Sequence, residues 1–298
     1  MTSTELSHLT VKTFGHADWK ADAAPDVLRD AGPALENGDV VFLPHIRFEV
    51  SSRELQFFSP RIVGSSKNIG FDPATGKIGG SVLVDADQRT LTEMLARYSD
   101  QAAALVGRLV PRYRGRIAKG RASFRPVEIA GRQTSWRKDD TRLHIDAFPA
   151  SPVHGRRILR AFTNVNPDRH PRTWRLGEPF EAIAGLFAPS LRVPLPGLAS
   201  VLSWVRVTKS RRTPYDALML QLHDRMKADD EYQARCAQTA VDFPAGSTWI
   251  AFTDQVSHAA MSGQYQLEQT FLLPVDAMED EQRSPLRVLE RIKGRRLA

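Results

Sequence analysis

The chain has 298 residues, 42% of them hydrophobic and 25% charged, and these proportions exclude a disordered or fibrous protein. Its 41 Lys and Arg exceed its 34 Asp and Glu, a net charge of +7 that suits an anionic partner such as nucleic acid, an anionic membrane or a phosphorylated substrate. The single cysteine, Cys236, excludes an internal disulfide and any cysteine-built zinc or iron–sulfur site, which fits a reducing cytosol.

Residues 1–38 read as a polar, Ala- and Asp-rich lead-in with no apolar segment of the signal-peptide kind. Asp39–Pro44 predicts a short buried strand. Ser65–Gly80, rich in Gly, Ser and Asn, predicts a loop. From Thr90 the apolar residues Leu91, Met94, Leu95, Tyr98, Ala102 and Leu105 recur at helical steps, and Pro111 ends that helix at Val110. Arg112–Arg125 holds six basic residues and no acid, either a solvated surface or a landing site for an anion. Strands are predicted over Ala122–Ala130, Thr141–Phe148, Arg157–Asn166, Ala240–Phe243, Thr248–Thr253 and Gln264–Leu273. A second helix starts at Thr213-Pro214, with Thr as its cap and Tyr215, Leu218, Leu222 and Met226 as its stripe.

The most apolar stretch, Leu186–Val205, contains Arg192 and three prolines and is a poor membrane span. It leads into Arg206, Lys209, Arg211 and Arg212, and the tail segment 284–298 carries five basic residues beside Leu286, Leu289 and Ile292. Each segment reads either as a packed helix or as an interfacial anchor on an anionic bilayer. Many strands with few helices predict a mainly β fold with helical support, a sandwich or jelly roll. The expected organisation is one domain over 1–298, with the lead-in at 1–38, a helical and basic insert at 186–238 and a basic tail at 283–298.

The chemistry concentrates in Thr141–Phe148. His144 and Asp146 are two apart, so on a strand they share a face. One more histidine would complete a two-His-one-carboxylate triad, which holds Fe(II) and leaves coordination positions open. A second such pair, His16 and Asp18, lies in the polar lead-in and reads as a coincidence. His258 follows the strand Thr248–Thr253 and a turn, and precedes Gly263 and another strand, a placement suited to closing the triad.

These motifs resemble the Fe(II)/2-oxoglutarate-dependent oxygenases, whose fold is a double-stranded β-helix, a cupin-like jelly roll. The segments RLHIDAFPASPVHGRRILRAFTNVNP (142–167), WRLGEPFEAIA (174–184) and STWIAFTDQVSHAAMSGQYQLEQTFLLP (247–274) are more specifically similar to the Kdo 3-hydroxylases of Gram-negative bacteria. Kdo is 3-deoxy-D-manno-oct-2-ulosonic acid. The resemblance spans residues 39–275 and implies an enzyme that consumes O2 and 2-oxoglutarate, releases succinate and CO2, and hydroxylates C3 of a Kdo residue in Kdo-lipid A. It implies His144, Asp146 and His258 as the iron ligands.

Many members of that superfamily place an arginine shortly after the distal histidine to pair with the far carboxylate of 2-oxoglutarate. Here no Arg or Lys occurs between His258 and Gln282. Other branches take the cation from the strand after the His-x-Asp pair, and Arg160 fits that spacing, with Asn164 as helper and Thr163 as the opposite-face alternative. The same departure argues against a nucleic-acid substrate. The resemblance implies a cytoplasmic enzyme, peripheral at the inner membrane, with an anionic glycolipid as partner. The competing readings are a same-superfamily hydroxylase of protein or nucleic acid, and a non-catalytic jelly-roll glycolipid-binding protein.

Overall fold

The computed structural model describes residues 10–64, 66–193 and 212–298. A short strand β1 (Val11–Thr13) and helix α1 (Pro25–Glu36) open the chain, so the lead-in is more structured than its composition suggests. Gly38, at φ +90°, turns the end of α1 directly into strand β2 (Val40–Leu43). Helix α2 (Ser52–Leu55) is closed by a capping box between Ser51 and Glu54. The expected loop at 65–80 contains a hairpin, β3 (Ile69–Asp72) and β4 (Lys77–Gly79), whose turn is fixed by the Asp72 carboxylate accepting from the Ala74 amide.

Helix α3 (Asp85–Leu109) carries the predicted stripe, and Leu91, Met94, Leu95, Tyr98, Ala102 and Leu105 are all fully buried. At about 2 kcal/mol for each large aliphatic side chain, this stripe holds the helix against the sheet behind it. The Tyr98 hydroxyl donates to the Ala161 carbonyl at 3.1 Å, so that polar group is satisfied within the core.

The remaining strands are β5 (Ala118–Arg125), β6 (Arg157–Asn164), β7 (Arg172–Leu176), β8 (Thr239–Phe243), β9 (Thr248–Phe252), β10 (His258–Ser262) and β11 (Gln266–Leu273). Helix α4 (Phe180–Phe187) follows β7, and α5 (Pro214–Ala228) and α6 (Asp230–Arg235) precede β8. Helix α7 (Pro285–Lys293) forms the tail. The large sheet has the order β1-β2-β9-β6-β11-β5-β3-β4 and is antiparallel except at β1–β2. The small sheet is β10-β7-β8. From β6 onward the chain passes back and forth between the two sheets, the winding of a double-stranded β-helix.

Aromatic rings from both sheets interlock between them. Trp249 of β9 stacks on Phe243 of β8 at 4.1 Å and on Phe162 of β6 at 5.4 Å, and Trp174 of β7 meets Phe243 edge-on at 5.6 Å. Each such ring pair adds about 1 kcal/mol beyond its buried area. This wedge holds the sheets apart at one level, beside the site described below.

Several expectations change. Thr141–Phe148 is no regular strand but an extended segment with a single bridge, His144 to His258. Arg157, a charged residue at the start of β6, is fully buried, with Nε donating to Asp254 at 2.8 Å and its guanidinium over the Phe252 ring. The tail packs inward: Leu286 and Leu289 are buried, and the Leu297 carbonyl accepts from the Tyr215 amide. Of the basic insert, 194–211, with Arg206, Lys209 and Arg211, lies outside the described residues. No helix among the described residues is long and apolar enough to cross a membrane.

Candidate metal centre and its cavity

Backbone hydrogen bonds bring the three candidate ligands together. The His144 amide donates to the His258 carbonyl at 3.0 Å, and the His258 amide returns the bond at 2.9 Å. The Asp146 amide donates to the Thr253 carbonyl at 2.7 Å. A short irregular segment is thereby clamped to the turn and strand that carry His258. Tight packing supports this arrangement: a Cβ on Gly177 would stand 2.6 Å from the Ser257 hydroxyl, next to His258.

The rings are oriented by the same device twice. Nδ1 of His144 lies 2.8 Å from the Arg142 carbonyl, and Nδ1 of His258 lies 2.8 Å from the Val256 carbonyl. A carbonyl accepts only, so each Nδ1 carries the proton and each Nε2 presents a lone pair. One ligand atom from each of His144, Asp146 and His258 lies within 4.8 Å of the others. Trp174 stacks on the His258 ring at 4.9 Å, and His223 meets His144 edge-on at 5.4 Å.

The protonation states suit a cation. Burial, reinforced for His144 by His258, holds both imidazoles below their ordinary range and so neutral. Burial alone would favour the neutral acid at Asp146, but the Arg160 guanidinium, together with His258, His144 and the Thr253 hydroxyl, outweighs it and holds the carboxyl well below the usual carboxylate range. Asp146 Oδ2 has no hydrogen-bond partner among the described residues; Arg160 Nη1 stands 3.2 Å away but is poorly aligned to donate. Two neutral nitrogens and one orphaned carboxylate oxygen, buried and convergent, fit a divalent first-row metal such as Fe(II).

The cluster opens into a cavity of about 270 Å3. Seven basic side chains line it (Lys67, Arg125, Arg137, Lys138, Arg160, Arg172 and Lys227) against three acids, Asp140, Asp146 and Glu268. Most of these cations already have an anion. Lys67 pairs with Asp140 at 2.5 Å, Arg125 with Glu268 at 2.7 Å, and Arg160 with Asp146 and with Glu268 at 3.3 Å.

Arg172 differs. It is 3% exposed, Nη1 donates to the Gly263 carbonyl at 2.5 Å, and Nε has no partner among the described residues. Burial first, and then repulsion from Arg125, push its guanidinium down to about 9. Two further buried polar atoms, Trp174 Nε1 and Gln266 Oε1, belong to residues that line the same cavity and also lack partners among the described residues. Arg172 precedes Trp174 by two residues on β7 and so shares its face, one strand repeat of about 7 Å farther from the metal cluster.

The sequence-predicted residues separate accordingly. His144, Asp146 and His258 converge, and Arg160 reaches the cavity. Thr163 does not: its hydroxyl bonds Thr248 at 2.8 Å and Tyr98 at 3.3 Å on the side facing α3. Asn164 is spent structurally, its amide nitrogen donating to the His170 and Phe243 carbonyls and its oxygen accepting from the Asn166 amide. In the basic run before the His-x-Asp pair, Arg112 donates to the Ala277 carbonyl, Arg116 pairs with Asp276 and Lys119 with Asp100; of that run, only Arg125 lines the cavity. Arg172, Trp174, His223, Lys227 and Gln266 escaped sequence reasoning, although the alternation Arg172-x-Trp174-x-Leu176 is a period-2 signal that marks β7.

Comparison with known proteins agrees with this geometry. A family model for 3-deoxy-D-manno-oct-2-ulosonic acid (Kdo) hydroxylase matches residues 18–296. A solved Kdo hydroxylase, described as a non-heme Fe(II) alpha-ketoglutarate dependent dioxygenase in complex with cobalt(II), is 46% identical; the match covers 96% of this chain and 97% of that one, with a TM-score of 0.94. A structure of a Kdo hydroxylase with alpha-ketoglutarate and Fe(III) matches at 45% identity, 97% coverage of each chain and a TM-score of 0.94. One with succinate and Fe(III) matches at 45% identity, 96% and 97% coverage and a TM-score of 0.93. No curated protein sequence matches. The chain belongs to the Kdo hydroxylase family.

Proposed function

We propose that the protein is an Fe(II)/2-oxoglutarate-dependent dioxygenase that hydroxylates C3 of a Kdo residue in Kdo-lipid A. The observation that carries this reading is the buried convergence of His144, Asp146 and His258 at the floor of a cationic cavity, in a chain of this family.

Nε2 of His144, the Asp146 carboxylate and Nε2 of His258 would hold the iron. With iron held there, the metal would supply the oxidising chemistry that consumes 2-oxoglutarate and O2 and yields succinate, CO2 and the hydroxylated sugar. The protein's part is binding, orientation and exclusion of water. Arg160 keeps the Asp146 carboxylate ionised and in place. Arg172, a buried guanidinium with a free Nε and no ion pair among the described residues, takes the far carboxylate of 2-oxoglutarate. This moves that role from Arg160, already flanked by two carboxylates, to the strand of the opposite sheet. Trp174 keeps the His258 ring from tilting, and with Phe162 gives the cavity an apolar wall.

The whole chain serves as one oxygenase domain, and the net charge of +7 suits work at an anionic membrane face where a glycolipid substrate lies. The test is mass spectrometry of Kdo-lipid A incubated with the protein, Fe(II) and 2-oxoglutarate. One added oxygen on a Kdo residue, dependent on 2-oxoglutarate, is expected. An unmodified sugar under conditions where 2-oxoglutarate is turned over would overturn the substrate assignment.

A further inference from the structure

One cation on the helical wall of the cavity is buried without a directly paired anion among the described residues. Lys227, in the last turn of α5, is 2% exposed and lines the cavity, yet makes no hydrogen bond and no ion pair among the described residues. The neighbouring acid, Asp140, is already held by Lys67 at 2.5 Å and faces Arg132 at 3.9 Å. An ammonium largely withdrawn from bulk water and open only to the cavity is costly without a directly bonded partner, and an anion entering the cavity would complete it.

Position indicates which anion. His223 and Lys227 are four residues apart on α5 and share a face. His223 touches the ring of the ligand His144 at 5.4 Å, so Lys227 sits one helical turn from the metal cluster. Arg172 stands on the sheet wall, on β7. The cavity therefore offers two separate cationic poles, and the proposed reaction brings two anionic partners. In a 3-deoxy-2-ulosonic acid the carboxylate carbon C1 is bonded to C2, and C2 to the reacting carbon C3. A sugar placed with C3 at the metal necessarily has its carboxylate beside the metal as well, within reach of a cation on the adjoining wall.

We propose that Lys227 is the residue that recognises the C1 carboxylate of the sugar acid and thereby sets which methylene is presented to the metal. The inference rests on the sugar-acid reading above and adds the residue that selects for it. A neutral hexose of similar shape would leave the ammonium unpaired, so the site discriminates by charge as well as by shape.

The experiment compares binding of the methyl glycoside of Kdo with that of its C1 carboxamide, by calorimetry, to full-length protein loaded with Co(II) and 2-oxoglutarate. The wild type should bind the acid at least about tenfold more tightly than the amide, the scale of one charge-assisted hydrogen bond. K227M should bind both about as the wild type binds the amide, while K227R keeps part of the preference. In the ligand-free protein K227M should melt no lower than the wild type, because it removes an unpaired buried charge; a purely structural lysine would lower the melting temperature. Should K227M not yield folded protein, K227Q, of similar length and neutral, replaces it in the same comparison. An acid preference retained in the neutral variant overturns the assignment, as does a wild type that binds acid and amide alike. A wild type that binds neither sugar overturns the sugar-acid reading itself, a distinct result.

Discussion

Replacing Arg172 with Met separates the two arginines that could hold 2-oxoglutarate. In the wild type Arg172 lines the cavity, gives one hydrogen bond to the Gly263 carbonyl and has a buried Nε without a partner among the described residues. Removing a charge-assisted bond to a carboxylate costs about 1.5–3 kcal/mol, which is roughly a 10- to 150-fold weaker dissociation constant for 2-oxoglutarate. The effect on the ligand-free fold is small by comparison. The variant loses the bond to Gly263, about 1 kcal/mol, and is relieved of an unpaired buried guanidinium, so its stability should stay within about 1 kcal/mol of the wild type. Metal affinity should be unchanged, because Arg172 forms no ion pair with Asp146. R160M should behave oppositely. It leaves Asp146 and Glu268 without the cation between them, so it should lower stability by about 2 kcal/mol or more and disturb metal binding directly. The assay is calorimetric titration of 2-oxoglutarate into Co(II)-loaded protein, with thermal melts of the ligand-free forms. If R172M binds 2-oxoglutarate like the wild type, the reasoning from orphaned donors fails; a selective loss in R160M would return the far carboxylate to that residue.

Other outcomes follow from the same structure. Asp254→Ala strands the buried Arg157 guanidinium and should cost about 3–5 kcal/mol in denaturant unfolding, far more than a surface ion pair such as Arg235 with Glu231. Gly177→Ala forces a Cβ to within 2.6 Å of the Ser257 hydroxyl, so it should lower stability by about 1–3 kcal/mol and weaken Co(II) binding by displacing the neighbouring His258. In the metal-free protein, burial lowers His144, His223 and His258 below their ordinary range. The unfolded chain then takes up protons near pH 6.5 that the folded chain refuses, so stability should fall as pH drops from 7 to 5; an unchanged melting temperature over that interval would contradict it.

What the sequence conveyed depended on how local the signal was. The apolar stripe from Leu91 to Leu105 predicts α3 because one face repeats for several turns. Thr213-Pro214 marks the start of α5 through its cap chemistry, which involves only four consecutive residues. The candidate ligands His144, Asp146 and His258 were legible because residue type and spacing coincide with a known coordination pattern. Their supporting geometry was not: Thr141–Phe148 alternates like a strand, but only His144 finds a ladder partner. The hairpin at 69–79 was hidden because its strands are short and rich in glycine. Arg172 and Lys227 could not be singled out among 41 basic residues, since their distinction is the absence of a counter-charge after folding. Asn164 shows the converse, with the correct strand face but an amide fully engaged by backbone partners.

The central claim is that His144, Asp146 and His258 form an iron site that accepts 2-oxoglutarate. Anaerobic titration of the purified protein with Fe(II) followed by 2-oxoglutarate tests it most directly. One iron per chain should bind, and 2-oxoglutarate should then produce a visible charge-transfer absorption that is lost in His258→Ala. Equal absorption and equal metal stoichiometry in that variant would contradict the assignment.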